Sequence, residues 1–181
     1  YWVKSFVSWR WSLAYVFLAS ALAVGVIAWL KASTDKACPW HLVQYGGEYA
    51  FRRLFEGGIS RGLQCWPAGH ASTGFGLLAW SIMFYQRKRF RLGTTAFFIA
   101  MLCGNILGVS QVLRGAHFIS HQLWTALICW TVCWLVYRVF QPLESITRVR
   151  QIERREPTRT RVSLSVDTQV NKREAQETGH L

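Results

Sequence analysis

The residues best suited to catalysis or binding lie in one short stretch, Arg-Gly-Ala-His-Phe-Ile-Ser-His, which runs from Arg114 to His121. It carries one guanidinium and two imidazoles, His117 and His121, spaced four residues apart. A cation can hold an anionic group while an imidazole attacks that group or moves a proton. The same spacing of histidines also suits zinc, or haem ligation within a helix bundle. Phosphoryl transfer and metal or haem binding are therefore both open at this point.

This stretch separates two long apolar segments, residues 93–113 and 116–140. An α-helix rises 1.5 Å per residue, so about 20 residues cross the hydrocarbon of a bilayer. An uncharged run at 11–30 and a shorter one at 70–86 have the same character. Residues 31–69 contain two glycine pairs and two prolines and are predicted to form a long loop. The sequence thus predicts an all-α polytopic membrane helix bundle with four visible spans.

Composition agrees with a membrane protein. The chain is 51% hydrophobic with ten Trp, which is too apolar for an ordinary soluble domain of 181 residues. We expect a membrane-embedded domain over residues 1–144 and a polar, basic, disordered tail over 145–181. Within the loop, the pattern at 48–56 is compatible with a short interfacial helix.

The net charge of +12 points to membrane orientation and away from nucleic acid. With four spans both chain ends lie on one side, and that side holds 15 of the 21 Lys and Arg residues. Cytoplasmic segments carry such an excess, so the opposite side, with Lys31, His70 and Arg114, is predicted to face outward. Three ends of spans then meet in one charged pocket at the outer surface.

Three short pieces of sequence supply that pocket. They are Lys31 to Cys38-Pro39, then Pro67-Ala68-Gly69-His70, then Ser110-Gln111 to His121. Their order and spacing resemble the three motifs of the type 2 phosphatidic acid phosphatase (PAP2) superfamily. Those motifs are Lys, six residues, Arg-Pro; then Pro-Ser-Gly-His; then Ser-Arg, five residues, His, three residues, Asp. The resemblance covers about residues 11–140 and implies two further spans upstream, which we expect in a longer protein because this chain begins at Tyr1.

The resemblance implies a role for each matching residue. His117 would be the nucleophile that forms a phosphohistidine, and His70 the acid that protonates the leaving group and then activates water. Lys31, Arg114 and the backbone at Gly69 would hold the phosphate, with the helix that His70 opens adding its N–H groups. The scheme needs no metal and no other cofactor.

Four positions depart from the family pattern. Cys38 and Gln111 stand in place of arginines, and Ala68 in place of a serine. His121 stands in place of the aspartate that orients the nucleophilic imidazole, and a second histidine cannot accept a hydrogen bond and remain cationic. Arg114 or one of the loop arginines, Arg52, Arg53 and Arg61, is expected to restore part of the lost positive charge.

The predicted function is hydrolysis of a lipid phosphate or pyrophosphate at the periplasmic face of a bacterial inner membrane. Its partners would be membrane lipids and the phosphorylated lipid substrate, with no nucleic acid. The alternatives are a non-catalytic family member, a lipid phosphotransferase, or a metal or haem carrier using His70, His117 and His121. Cys38 and Cys65 are the two cysteines outside the spans, both on the outer face where disulfides persist, and are predicted to form one.

Overall fold

The structure, a computed structural model, describes residues 2–53, 56 and 62–141, with side chains from Trp9 onward. Residues 1–139 form one compact unit. Regular structure in the described part is helical, as the sequence predicted, with two isolated β-bridges in the loop. The α-helices are α1 (Trp2–Ser33), α2 (Gly69–Phe75), α3 (Leu78–Gln86), α4 (Phe90–Leu113) and α5 (Ile119–Gln141).

Three helical segments in the described residues are long and apolar enough to cross a membrane. They are Trp9–Ser33, Phe90–Leu113 and Ile119–Gln141, and 28%, 17% and 17% of their most apolar windows are buried within the protein. Such helices leave most of their apolar surface outside the protein core, which is the arrangement expected for surfaces that face lipid. The fold is therefore a membrane helix bundle.

The predicted span at 70–86 is divided into two short helices, α2 and α3. Helix α2 ends before Gly76, whose carbonyl accepts a hydrogen bond from the Ser20 hydroxyl of α1 at 2.9 Å. Gly74 contacts α4 so closely that a Cβ there would lie 2.4 Å from the backbone nitrogen of Gly104. A side chain at Gly74 or Gly104 would push α2 and α4 apart. Small residues thus hold α2 against α4 and fix the position of its first residues.

Helix α1 also contacts α5 through a buried tyrosine. The Tyr15 hydroxyl donates to the Cys133 carbonyl at 3.1 Å, and its ring meets Tyr137 edge-on at 5.7 Å between centroids. Cys129 and Cys133 are fully buried, as expected for cysteines that serve packing. The three long helices and the α2–α3 pair together form the frame that carries the polar residues.

The basic turn after α3 lies beside the beginning of α1. The Arg87 guanidinium donates to the Ser12 hydroxyl and lies 4.3 Å above the Trp9 ring. The α3–α4 turn and the beginning of α1 therefore lie at one end of the bundle. Lys31, near the end of α1, lies at the other.

The loop that follows α1 is tied to the rest of the protein at several points. Thr34 donates to the Trp66 carbonyl at 2.5 Å, Cys65 N–H to the Lys36 carbonyl at 3.1 Å, and Trp40 N–H to the Gly115 carbonyl at 3.2 Å. The last of these bonds joins the loop to the turn between α4 and α5. The loop is thereby held over the ends of the helices that carry the predicted site.

The interfacial helix predicted at 48–56 is wrong for residues 48–53, which have no helical structure. Val43 N–H donates to the Tyr49 carbonyl at 2.9 Å, so this part of the chain folds back on its own loop in place of coiling. Residues 54–55, Arg61 and the tail at 145–181 lie outside the described residues, and the expectations for them stay predictions.

Candidate active site

The first two motifs meet at Lys31 and Gly69. Lys31 is half-buried in the last turn of α1, and its Nζ lies 3.7 Å from where a Cβ on Gly69 would be. Gly69 is the first residue of α2. Without a side chain, it leaves the lysine ammonium next to the backbone at the beginning of that helix. His70 follows immediately and is exposed.

His117 brings in the third motif. It lies in the short link between α4 and α5, after a left-handed turn at Gly115 (φ +70°), and is 5% exposed. The pKa of His117 is lowered to about 4, chiefly by burial and also by the positive charges of Lys31 and His70, while the Cys65 carbonyl acts in the opposite direction. The structure thus brings Lys31, Gly69, His70 and His117 together from three distant parts of the sequence.

Cys65 lies beside the His117 ring. Its Sγ is 3.6 Å from Nδ1, but this sulfur is in a disulfide, has no hydrogen and cannot donate. The Cys65 carbonyl is close enough to raise the pKa of His117. The disulfide-linked loop therefore contacts the predicted nucleophile directly.

His121 does not replace the family's aspartate by a direct bond. Its ring centroid is 5.8 Å from that of His117 in an edge-on arrangement, and its buried Nδ1 has no hydrogen-bond partner in the described part of the chain. The ring packs instead on Phe118, with centroids 5.3 Å apart. His121 lies in the site but does not orient the nucleophile through a hydrogen bond.

A residue that sequence reasoning missed connects the second and third motifs. The buried Thr125 hydroxyl of α5 accepts from the Ala68 N–H at 2.9 Å and lies 2.8 Å from the His121 carbonyl, to which it donates. Ala68 stands immediately before α2, so Thr125 fixes the beginning of that helix relative to α5. A threonine inside an apolar span gave no signal of this role.

Two predicted groups are not shown in contact with His117, and a third is weaker than expected. Arg114 is exposed at the C-terminal end of α4, and Ser110 donates its hydroxyl to the Leu107 carbonyl at 2.8 Å. Helix α2 has only seven residues, so its dipole favours an anion less than that of a longer helix would. Phosphate binding by Arg114 and by the N–H groups of α2 stays a prediction.

Among the described residues, the group that could hold a metal is Cys65, His117 and His121, whose ligand atoms lie within 4.8 Å of one another. Metals bind the thiolate form of cysteine. Cys65 is joined to Cys38, so its sulfur is not a thiolate, and two imidazoles remain. Structural and catalytic zinc sites ordinarily have three or four protein ligands. Only the reduced protein would offer the full set.

The Cys38–Cys65 disulfide closes a 27-residue separation with the Cα atoms 5.1 Å apart. Converting both cysteines to alanine is expected to lower the free energy of unfolding by about 3 to 4 kcal/mol on the chain-entropy estimate. Phosphate release should fall as well, because Cys65 lies beside the His117 ring and its loss would disturb the position of that ring. Thermal unfolding in detergent measures the first effect, and Cys103→Ala, which removes a free thiol from α4, is the matched control. Equal melting temperatures for the two variants would contradict the stabilising role.

The lowered pKa of His117 makes stability depend on pH. An unfolded histidine has a pKa of about 6.5, and the folded value is about 4. The unfolded state therefore binds more protons between these values, and the contribution of His117 is complete above about pH 6.5 and falls as pH drops toward 4. The melting temperature of the wild type should fall further between pH 7.5 and pH 5 than that of the His117→Asn variant. Parallel pH profiles for the two proteins would show that His117 titrates normally.

Comparison with known protein families matches residues 11–145 to the PAP2 superfamily. The chain belongs to this superfamily. The match covers the helices and motifs described above, and it confirms the resemblance on which the expected roles were based. Membership in PAP2 also supports a phosphatase as the general class of activity.

One curated relative of this PAP2 chain is the lipid A 4'-phosphatase of Francisella tularensis subsp. novicida (strain U112). The two are 26% identical over 133 residues, which is 71% of this chain and 59% of the relative. The chain therefore spans less than two thirds of that protein's length. No solved structure matches the chain.

Proposed function

We propose that this PAP2 protein hydrolyses a lipid phosphate or pyrophosphate. The observation that carries the proposal is the meeting of Lys31, Gly69 and His117, which the sequence holds far apart. Family membership supports a phosphatase, and the similar protein from Francisella is named for dephosphorylating a membrane lipid. Phosphoryl transfer requires an attacking group, a proton donor and positive charge around the oxygens. This site offers one residue for each.

In the proposed reaction, Nε2 of His117 attacks phosphorus while the bond to the lipid oxygen breaks. His70 gives its proton to that oxygen, and the lipid leaves as an alcohol or, from a pyrophosphate, as a monophosphate. The deprotonated His70 then takes a proton from water, whose oxygen attacks the phosphohistidine and releases phosphate. Lys31 faces the charge that develops on the non-bridging oxygens. An exposed His70 at the pocket suits both proton transfers.

The departures from the family motifs fit this mechanism in part. Where the family has arginine, Cys38 is linked to Cys65, whose carbonyl raises the pKa of His117. We propose that this carbonyl accepts a hydrogen bond from Nδ1 of His117, leaves Nε2 free to attack and so takes over the aspartate's orienting role. A neutral carbonyl stabilises an imidazolium less than a carboxylate does, so a slower enzyme is expected. Arg114 is proposed to contact the phosphate at the entrance to the site.

We also propose that the site faces the periplasm from a bacterial inner membrane. The basic turn at Arg87 and the beginning of α1 share one end of the bundle, while Lys31 lies at the other. Positive-inside orientation then puts the basic end in the cytoplasm. The disulfide supports an oxidising compartment for the site. The tail's basic residues would rest on anionic headgroups.

The competing proposal is metal binding by the reduced protein, favoured by the closeness of Cys65, His117 and His121. Phosphate release from purified protein in detergent separates the two. The panel is lipid A, undecaprenyl pyrophosphate, phosphatidylglycerophosphate and phosphatidate, each with and without EDTA. The lipid phosphatase predicts EDTA-resistant release from at least one of them. No release from any lipid, together with stoichiometric zinc in the reduced protein, would favour metal binding.

A further inference from the structure

A cavity of about 490 Å³ opens beside the candidate active site and lies outside the proposed mechanism. One wall is the loop that follows α1, including Phe51 and Arg52, and the other is the beginning of α5 with Phe118, His121 and Trp124. Its volume lies within the range of roughly 300 to 1,000 Å³ found for small-molecule sites. His121 belongs both to this wall and to the group around His117, so the cavity adjoins the position proposed for the phosphate.

The lining combines aromatic rings with polar groups. Trp66 meets Trp124 edge-on at 6.1 Å between centroids, and Phe51 meets Phe118 in the same way at 6.1 Å. Trp124 is 39% exposed and Phe51 57% exposed, so ring surface is open to a ligand. Asp35, Gln44, Arg52 and Ser120 supply hydrogen-bonding groups around these rings.

Two residues of the cavity wall have hydrogen-bonding capacity that the described protein does not use. The indole nitrogen of Trp66 and Nδ1 of His121 are buried, and neither has a partner among the described residues. Trp66 is only 9% exposed. Buried polar nitrogens ordinarily have partners, and a buried one without a partner raises the free energy of the folded state. Both nitrogens are covered in this structure, so the exposed rings and polar groups, and not these atoms, are what the cavity offers a ligand.

The loop wall is fixed by its own charged residues. The buried Lys36 ammonium donates to the carbonyls of Arg53 and Glu56, and Asp35 accepts from the Gly62 N–H at 3.0 Å. The Lys36 charge is thus directed to loop carbonyls and is not the group that binds a ligand. The exposed guanidinium of Arg52 is the cation that the wall offers.

From these observations we propose that the cavity is a headgroup subsite that binds a sugar ring of the phosphorylated lipid. The inference rests on the proposed lipid phosphatase and names its substrate class as a phosphorylated glycolipid. Aromatic surfaces pack on the C–H faces of a sugar ring, while carboxylate, amide and guanidinium groups bond its hydroxyls. A glycerol headgroup has no ring to occupy this aromatic lining. The acyl chains of the lipid would contact the apolar helices and would not contact the loop.

Binding is tested first, without turnover. The probe is methyl β-D-glucopyranoside, observed by saturation-transfer difference NMR with the protein in phosphocholine micelles, and glycerol is the comparison. We expect transfer to the glucoside ring protons and none to glycerol. Trp124→Leu should abolish the signal, whereas Trp130→Leu should keep it, because Trp130 is an exposed tryptophan of the same helix outside the cavity. Phe118→Leu is the second cavity variant, used if Trp124→Leu does not fold.

Selectivity is tested next with two substrates that share their acyl chains, a diacylglycerol glucoside phosphorylated on its sugar and phosphatidate. The expected ratio of kcat/KM favours the glycolipid by roughly tenfold, and Trp124→Leu should remove most of that preference. Trp130→Leu should leave the ratio unchanged. A wild type that hydrolyses both lipids equally, with no glucoside signal, would overturn the sugar subsite and leave the phosphatase intact. A glucoside signal without hydrolysis of any lipid would support the subsite and refute the phosphatase.

Discussion

Replacing His117 with Ala is expected to reduce phosphate release by roughly four orders of magnitude or more, because the change removes the nitrogen that forms the covalent bond to phosphorus. His117 is buried and close enough to Lys31 for that charge to lower its pKa. The measurement is single-turnover release of phosphate from whichever lipid the wild type hydrolyses.

A matched control separates loss of the nucleophile from loss of the fold. His41→Ala removes an imidazole from the loop, where His41 accepts a hydrogen bond from the Trp40 indole at 3.1 Å, and it should leave the rate nearly unchanged. Acid quenching of wild type during turnover should also trap phosphate on the protein, and the His117→Ala variant should trap none. Substantial release from a folded His117→Ala variant would refute the proposed nucleophile.

His70→Ala should slow release by roughly 10² to 10⁴-fold, the usual contribution of a positioned acid and base. The expected loss is smaller than for His117, because water at the exposed position of His70 can still deliver a proton. The size of the effect should depend on the leaving group. A pyrophosphate, whose leaving oxygen is less basic, needs the acid less than a phosphate monoester does.

Comparing the rates for the two substrate types therefore tests whether His70 protonates the leaving oxygen. If His70→Ala slowed a monoester and a pyrophosphate equally, His70 would be positioning the substrate and not protonating its leaving oxygen. Phosphohistidine should still be trapped in this variant, because the attack by His117 remains. Absence of the intermediate together with a normal melting temperature would also count against the assignment.

The bundle could be predicted from the sequence because its three long helices follow from apolar length alone. Residues 11–30 and 93–113 fall in helices, as do all but the first three residues of 116–140. The division of 70–86 into α2 and α3 could not be predicted, since it depends on Gly74 meeting Gly104 and on Ser20 reaching the Gly76 carbonyl. These are contacts between residues distant in sequence, and no local pattern records them.

The candidate site could also be predicted only in part. The order of the motifs predicted that Lys31, His70 and His117 share one end of the bundle, and the structure brings them together. Two contacts around them could not be predicted. The Cys65 carbonyl, which raises the pKa of His117, is a backbone group that every residue carries, and the Thr125 hydroxyl that accepts from the Ala68 N–H lies inside an apolar span. The cavity beside His121 likewise forms only when the loop closes over α5.

The bond between Cys38 and Cys65 also has a consequence for how this protein is produced. Insertion of the helices needs only the apolar segments, whereas the placement of the His117 ring depends on a loop that must first meet an oxidant. Membrane insertion and maturation of the site are therefore separate events. In protein made in a reducing cell-free extract, the helices would insert into the bilayer in the correct order. The loop beside His117 would lack its disulfide until a thiol oxidase acted on the two cysteines.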